Sequence, residues 1–300
     1  MARRRAATAA LLLFVALATP ARAETGGAPL LCGTAPTPPA TWEHVVWIWF
    51  ENHGYGAVVG ARDAPHLNRR LARGCGLATN YHSLAHPSLP NYIAATSGLP
   101  LNALGPLRDD CNATGACHTA ATSIFALAPS WGAYEESMRR PCTHWFTGRY
   151  AASHNPAVYY TGLDDCRTHD LPLRALRVAL DSDTLPAFVF VMPNMCDSMH
   201  SCSVATGDAW LWRMIRRLTA SAAYRRGTMA VFVTFDESAS ADSDDRVATL
   251  VISPSTPPHT RSAKFFDHYS LLRTTEEMLG ISRLLGEARR APSMRAAFNL

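Results

Sequence analysis

Four short runs in the chain have almost no polar interruption. His44 to Phe50 reads HVVWIWF, Ala187 to Met192 reads AFVFVM, Met229 to Phe235 reads MAVFVTF and Val247 to Ser253 reads VATLVIS. Runs this short, rich in β-branched and aromatic residues, predict strands buried on both faces, as in a parallel sheet. Between them the apolar spacing changes. In PHLNRRLARG, Pro65 to Gly74, Leu67 and Leu71 lie four apart and a glycine follows, which predicts a short capped helix. Pro87 and Pro90 ahead of NYIAATSG predict a helix that starts at Ser88. Trp210, Leu211, Met214, Ile215 and Leu218 recur at helical spacing within 207–219, and His268 to Gly280 reads as a helix closed by glycine. Strands alternating with helices predict an α/β sandwich with a mainly parallel central sheet. Residues 100–170 are loop-rich and carry four cysteines, so a disulfide-rich insertion is expected there.

The N-terminus follows a different pattern. Arg3, Arg4 and Arg5 precede an apolar run from Ala6 to Ala18, then Pro20 and Ala21-Arg22-Ala23. That order predicts a signal peptide over 1–23, cleaved near Ala23, and hence a secreted, extracellular protein. The run is too short to span a hydrocarbon core of roughly 30 Å, and no other segment is long and apolar enough for a transmembrane span. Residues 24–41, rich in Gly, Pro and Thr, read as an extended lead-in, and 42–300 as a single domain. All eight cysteines lie after the cleavage site, and an even count in an exported chain argues for disulfides. Eight cysteines allow 105 pairings, so only the close spacings Cys111/Cys117 and Cys196/Cys202 point to local loops. With no CxxC pair, zinc–thiolate chemistry is disfavoured. A composition of 48% hydrophobic and 17% charged residues excludes a disordered chain. A net charge of +4 is too weak and scattered for nucleic acid, though it favours encounter with anionic substrates or lipid head groups.

The polar clusters sit where the buried runs stop. Glu51-Asn52-His53 follows the first run, Pro193-Asn194 through His200 the second, and Asp236-Glu237 the third. In open α/β sheets ligands bind at the carboxyl ends of strands, so these clusters can converge although they are remote in sequence. Glu51, Asn52, Asp236 and Glu237 are hard oxygen donors. Carboxylates brought together repel one another unless a cation sits between them. Oxygen ligands suit Mg, Ca or Mn, and added histidine suits Zn or Fe, so the expected cofactor is a divalent metal ion of open identity. His200 and His268 can supply that nitrogen or meet phosphate oxygens when protonated. Ser88 opens a helix, where backbone amides favour an anion, and Asn91 lies one turn on. No G-x-S-x-G occurs, which leaves an esterase or lipase elbow without support.

Taken in order, ENHGYGAVVG, APHLNRRLARGCGLATNYHSLAHPSLPNYIAATSG, VMPNMCDSMHSCSVATGDAWL, VFVTFDES and DHYSLLRTTEEMLG resemble the bacterial phosphoesterase family. That family groups phospholipases C with secreted acid phosphatases inside the alkaline phosphatase superfamily. The chain is most similar to its short secreted members, some of which act on phosphoinositides. The likeness runs from about Val45 to Phe298 and implies an alkaline-phosphatase-like α/β/α sandwich. It implies Glu51 and Asn52 as one metal pair, Asp236 and Glu237 as the other, and Ser88 as nucleophile. It also implies His200 and His268 as catalytic histidines, with Asn91, His86 and Asp197 on the substrate and Asp208 as part of the pattern. Phe235 stands where the family often has Trp, and Ser201 and Ser238 where acids are common. The implied activity is metal-dependent hydrolysis of phosphate monoesters through a phosphoserine. A phospholipase C-type phosphodiesterase is the near alternative, and a non-catalytic, metal-stabilised secreted binding protein the distant one. The implied partner is a phosphate-ester substrate, with a phospholipid or phosphoinositide head group and transient membrane-surface contact included. His53, His82, His118, His144, His154 and His169 are read as surface or loop residues. Asp242 to Asp245 is read as a solvated loop.

Overall fold

The computed structural model describes residues 30–239 and 244–300. The expected signal peptide, the first part of the lead-in and the first half of the Asp242 to Asp245 run lie outside those residues. Nine strands form one sheet: β1 (His44–Phe50), β2 (Gly76–His82), β3 (Trp131–Glu135), β4 (Asp170–Pro172), β5 (Phe188–Met192), β6 (Met229–Phe235), β7 (Arg246–Ile252), β8 (Arg261–Ser262) and β9 (Phe266–Asp267). Their order is β4-β3-β5-β1-β6-β7-β2-β8, with β9 also on β2. Every pairing is parallel except those of β7 with β6 and β2, so β7 alone runs against the rest. The sequence pattern did not reveal that reversal. Only ten residues, 236–245, separate β6 from β7, and a parallel return needs a crossover of a dozen or more.

Four longer helices cover the sheet: α1 (Ser88–Ser97), α2 (Arg174–Asp181), α3 (Val204–Thr219) and α4 (His268–Met278). Alternation along β1 shows the layering. Trp47 Nε1 donates to Thr275 Oγ1 of α4 at 2.9 Å, and Trp49 packs on Tyr92 of α1 and on His268 at ring separations of 5.0 and 4.8 Å. Phe50 projects to the opposite face, against Trp210 of α3 at 6.0 Å. Every residue of β1, β5 and β6 is buried, as expected of strands sandwiched between helical layers.

The expected strands and helices are present within a few residues of their expected ends. The segment 100–170 does more than insert: it carries the disulfides Cys111–Cys117 and Cys142–Cys166 and also contributes β3 to the sheet. WGAYE pairs with β5 from Trp131↔Phe188 to Glu135↔Met192. The other bridges are Cys196–Cys202 and Cys32–Cys75, the latter tying the lead-in to the start of β2. All eight cysteines are paired, which fits an oxidising compartment. Among the described residues, no helix is long and apolar enough to cross a membrane.

Two adjacent residues of α3 set how it meets its neighbours. Asp208, on α3 and 1% exposed, accepts the His66 and Leu67 amides at 2.9 and 2.7 Å and so caps the helical turn Leu67–Ala72. Gly207 lets α3 press on the loop after β5, where a Cβ would lie 2.9 Å from the Asp197 carbonyl.

Candidate active site

β1 and β6 lie side by side in register, ending at Phe50↔Phe235, so Glu51-Asn52 and Asp236-Glu237 leave the same edge of the sheet together. The pairing carries on past the strands, because Asp236 N donates to Phe50 O at 3.0 Å and Asn52 N donates to Asp236 Oδ1 at 3.0 Å. Asn52 adopts a left-handed backbone (φ 49°), a region Asn enters more readily than most residues, and this turns its side chain into the cluster. Its amide lies 3.2 Å from both Glu51 Oε2 and Glu237 Oε1. Turned one way, its nitrogen donates to both; turned the other way, its oxygen joins theirs as a third hard ligand.

Ser88 meets this cluster from α1. Its hydroxyl donates to Glu51 Oε2 at 3.2 Å, and Ser88 is only 3% exposed. Glu51 Oε1 accepts from the Tyr92 hydroxyl, one helical turn further on, and lies 3.2 Å from His154 Nδ1. Burial, reinforced by Asp236, holds the Glu51 carboxyl well above its usual range. Asp236 is pushed up to about 6 by burial, although the nearby Ser88 hydroxyl and the hydrogen bond from the Asn52 backbone pull it back. Glu237 is pushed up to about 9, by burial first and by Asp236 second.

These residues fit a divalent cation. Asp236 Oδ2 is buried without a hydrogen-bond partner. Glu237 Oε2 faces His86 Nδ1 at 2.9 Å without hydrogen-bond alignment. Among the described residues, no Lys or Arg pairs with the three acids. An oxygen-rich set with unsatisfied buried carboxylates is the coordination that hard cations take, and His154 adds a nitrogen at its margin. A second group, Asp170 with Cys142 and Cys166, has its sulfurs joined in a disulfide and offers no thiolate.

The remaining expected residues fall into two sets. His86 does reach the cluster: beyond Glu237, its Nε2 lies 2.9 Å from Asp245 Oδ1. His200, on the Cys196–Cys202 loop, is exposed, and its ring lies 5.9 Å from that of His154. The protein packed around His200 lowers its pKa, with Asp110 opposing and His53 adding to the shift. Nδ1 of His200 meets Ser201 Oγ at 3.1 Å, while Nε2 has no partner among the described residues.

Asn91, His268 and Asp197 are placed differently from expectation. Asn91 is fully buried, and both ends of its amide are used. Oδ1 accepts from Leu84 N and Ala85 N at 2.9 and 3.1 Å, while Nδ2 donates to Ala85 O and Pro87 O at 2.7 and 3.2 Å. It staples the loop ahead of Ser88 and has no donor left for a phosphoryl oxygen. His268 donates from Nε2 to the Asp236 carbonyl at 2.7 Å, so its Nδ1 accepts from the Tyr81 hydroxyl at 3.0 Å. It is fully buried, its pKa is lowered to about 4 mainly by burial, and both ring nitrogens are engaged within the protein. Asp197 Oδ2 accepts from Asn194 Nδ2 at 3.0 Å, and its carboxylate faces Glu136, whose pKa is raised by burial first.

Three residues escaped the sequence reading. His154, taken there for a loop residue, is 4% exposed beside Glu51, and its pKa is lowered to about 3 by burial and then by His200. His53 holds the Glu51 carbonyl through Nδ1 at 2.8 Å. Asp110 Oδ1 accepts the Leu89 amide at 2.9 Å, taking one of the helix-start donors that an anion would use. His154 and Asp110 do not stand after a buried strand, which was the signal that located the other acids; His53 does, and its residue type alone read as a surface histidine.

The profile of the phosphoesterase family matches residues 49–282. A phosphatidylinositol-3-phosphatase from Mycobacterium tuberculosis is 29% identical over 94% of this chain and 92% of that protein. A phosphate-repressible acid phosphatase of Penicillium chrysogenum is 25% identical over 81% of this chain, which spans only 60% of that protein's length. Among solved structures, an alkaline phosphatase superfamily protein from Vibrio parahaemolyticus matches with TM-score 0.55 at 13% identity, covering 92% of this chain and 77% of that one. A phosphonate monoester hydrolase from Silicibacter pomeroyi matches with TM-score 0.55 at 12% identity over 86% and 76% of the two chains. At such identities the structural matches speak for the fold, an alkaline-phosphatase-like sandwich.

Proposed function

The chain belongs to the phosphoesterase family and is a phosphoric ester hydrolase, and from that premise we propose that it is an exported phosphomonoesterase with Ser88 as nucleophile. One observation carries this reading: the Ser88 hydroxyl lies 3.2 Å from a carboxylate in a four-residue oxygen cluster at two adjacent strand ends. Glu51, Asn52, Asp236 and Glu237 would hold the divalent cation. When bound, it would neutralise phosphate charge and lower the pKa of the Ser88 hydroxyl. Ser88 Oγ passes its proton to the Glu51 carboxylate it faces and forms a bond to phosphorus as the bond to the alcohol oxygen breaks, leaving a phosphoserine; Glu51 returns that proton to Ser88 Oγ when the phosphoserine is cleaved. His200 Nε2 gives its proton to the departing oxygen, then takes one from the water that cleaves the phosphoserine. His268 orients Asp236 through its carbonyl, and Asn91 fixes the loop that aims Ser88; both act by positioning. The two relatives are named as phosphatases, which supports a monoester preference, and the paired cysteines support export.

The deciding experiment assays purified wild-type and Ser88→Ala protein on p-nitrophenyl phosphate, bis(p-nitrophenyl) phosphate and phosphatidylinositol 3-phosphate. Chelation and add-back of Ca, Mg, Mn, Zn and Fe form the second arm. The expected result is metal-dependent turnover that favours monoesters and falls by about three or more orders of magnitude in Ser88→Ala. Near-normal turnover in a folded Ser88→Ala protein would remove Ser88 from the role. Faster turnover of the diester would move the assignment to a phospholipase C-type enzyme.

A further inference from the structure

Away from Ser88, a groove of about 910 Å³ opens beside α3. Arg69, Arg70, Arg216 and Arg225 line it, and among the described residues no acidic residue does. None of the four forms an ion pair among the described residues. Four exposed guanidinium groups around one concavity repel each other and create a field that draws an anion. Apolar side chains share its lining with the arginines, Leu31, Trp212 and Tyr224 among them. The walls are set in advance. The Tyr224 hydroxyl donates to Leu31 O at 2.5 Å, the neighbouring Cys32–Cys75 bridge anchors the lead-in, and Trp212 stacks on His66 at 5.2 Å.

The groove lies at the other edge of the sheet. Gly74 and Tyr224 come just before β2 and β6 begin, whereas the oxygen cluster follows the ends of β1 and β6. A seven-residue strand, about 20 Å, separates the two. An occupant there would leave Ser88 open.

We propose that this groove binds an anionic single-chain amphiphile of the fatty-acid type. A carboxylate head meets guanidinium groups in the bidentate geometry Arg provides, and the acyl chain covers Leu31 and Trp212. The volume falls in the range of small-molecule sites, about 300–1,000 Å³. A simple inorganic anion would leave the apolar side chains wet, and a neutral lipid would leave the arginines unmatched.

The test is calorimetric titration of the full protein with laurate below its micellar threshold. Acetate, inorganic phosphate and dodecyltrimethylammonium serve as controls. Saturable laurate binding is expected, with acetate and the cationic chain silent. Arg70→Glu/Arg216→Glu should weaken laurate binding by about tenfold or more while p-nitrophenyl phosphate turnover stays unchanged. Three results would overturn the proposal: no saturable laurate binding, laurate binding insensitive to the double substitution, or inorganic phosphate displacing bound laurate as effectively as laurate binds. Binding only to anionic vesicles and not to monomeric laurate would also overturn it, in favour of a bilayer surface.

Discussion

Replacing Asn91 by alanine separates two readings of one side chain. If Asn91 touched phosphate, its loss would raise KM and leave stability alone. The structure predicts the opposite. The amide makes four hydrogen bonds to the backbone of residues 84, 85 and 87, all around a fully buried side chain. Each such bond contributes about 1 kcal/mol net, and a buried group left unpaired costs somewhat more. Water entering the gap would recover part of that. The expected loss is therefore about 2–4 kcal/mol, on the order of 4–12 °C in Tm for a domain somewhat larger than those on which the scaling rests. Because the stapled loop runs directly into Ser88, kcat on p-nitrophenyl phosphate should fall by about a hundredfold, with KM changed less than threefold. Urea unfolding and steady-state kinetics on the same preparation read both quantities. An unchanged unfolding midpoint together with a large rise in KM would refute the staple and restore Asn91 to the substrate.

Other outcomes follow from the same geometry. In metal-free protein Glu237 and Asp236 have folded pKa values of about 9 and 6, above their ordinary 4.5 and 3.8, so the folded state binds more protons than the unfolded chain in between. Stability in chelator should therefore fall as pH rises from about 4 towards 9, and a bound divalent cation should flatten that slope; a rising slope in chelator would contradict it. Asp208→Ala strips two buried backbone amides of their acceptor and should cost about 2–4 kcal/mol in urea unfolding. Removing the Cys196–Cys202 bridge, which closes a short loop, should cost about 2 kcal/mol. Turnover should fall about tenfold or more as His200 loses its restraint, and unchanged turnover would take His200 out of the reaction.

Much of the fold could be read from the chain because burial on both faces leaves a plain mark. HVVWIWF and MAVFVTF coincide with β1 and β6, and the acids directly after them meet because those strands are neighbours in the sheet. β2 and β3 were not legible. GLATNYH and WGAYE mix polar and small residues, and their burial comes from neighbours that only the sheet order supplies. His154 was hidden for the same reason: it sits in a short helical turn, and its approach to Glu51 passes through tertiary packing against Tyr92. Asn91 and His268 were recognised as special, but residue type alone could not say whether their polar atoms face a ligand or the protein's own backbone.

The central position of β1, between β5 and β6, has a consequence for when the protein becomes competent. Glu51 gains Asp236 only after nearly the whole sequence has been laid down and the later strand has docked beside the earlier one. Contacts between such distant parts form slowly. A nascent or truncated chain ending before Asp236 would hold Glu51 and Asn52 without the two acids that complete the proposed cation site. The catalyst therefore arrives in a single step with the finished sheet, and phosphate esters in the compartment of synthesis are out of its reach until then.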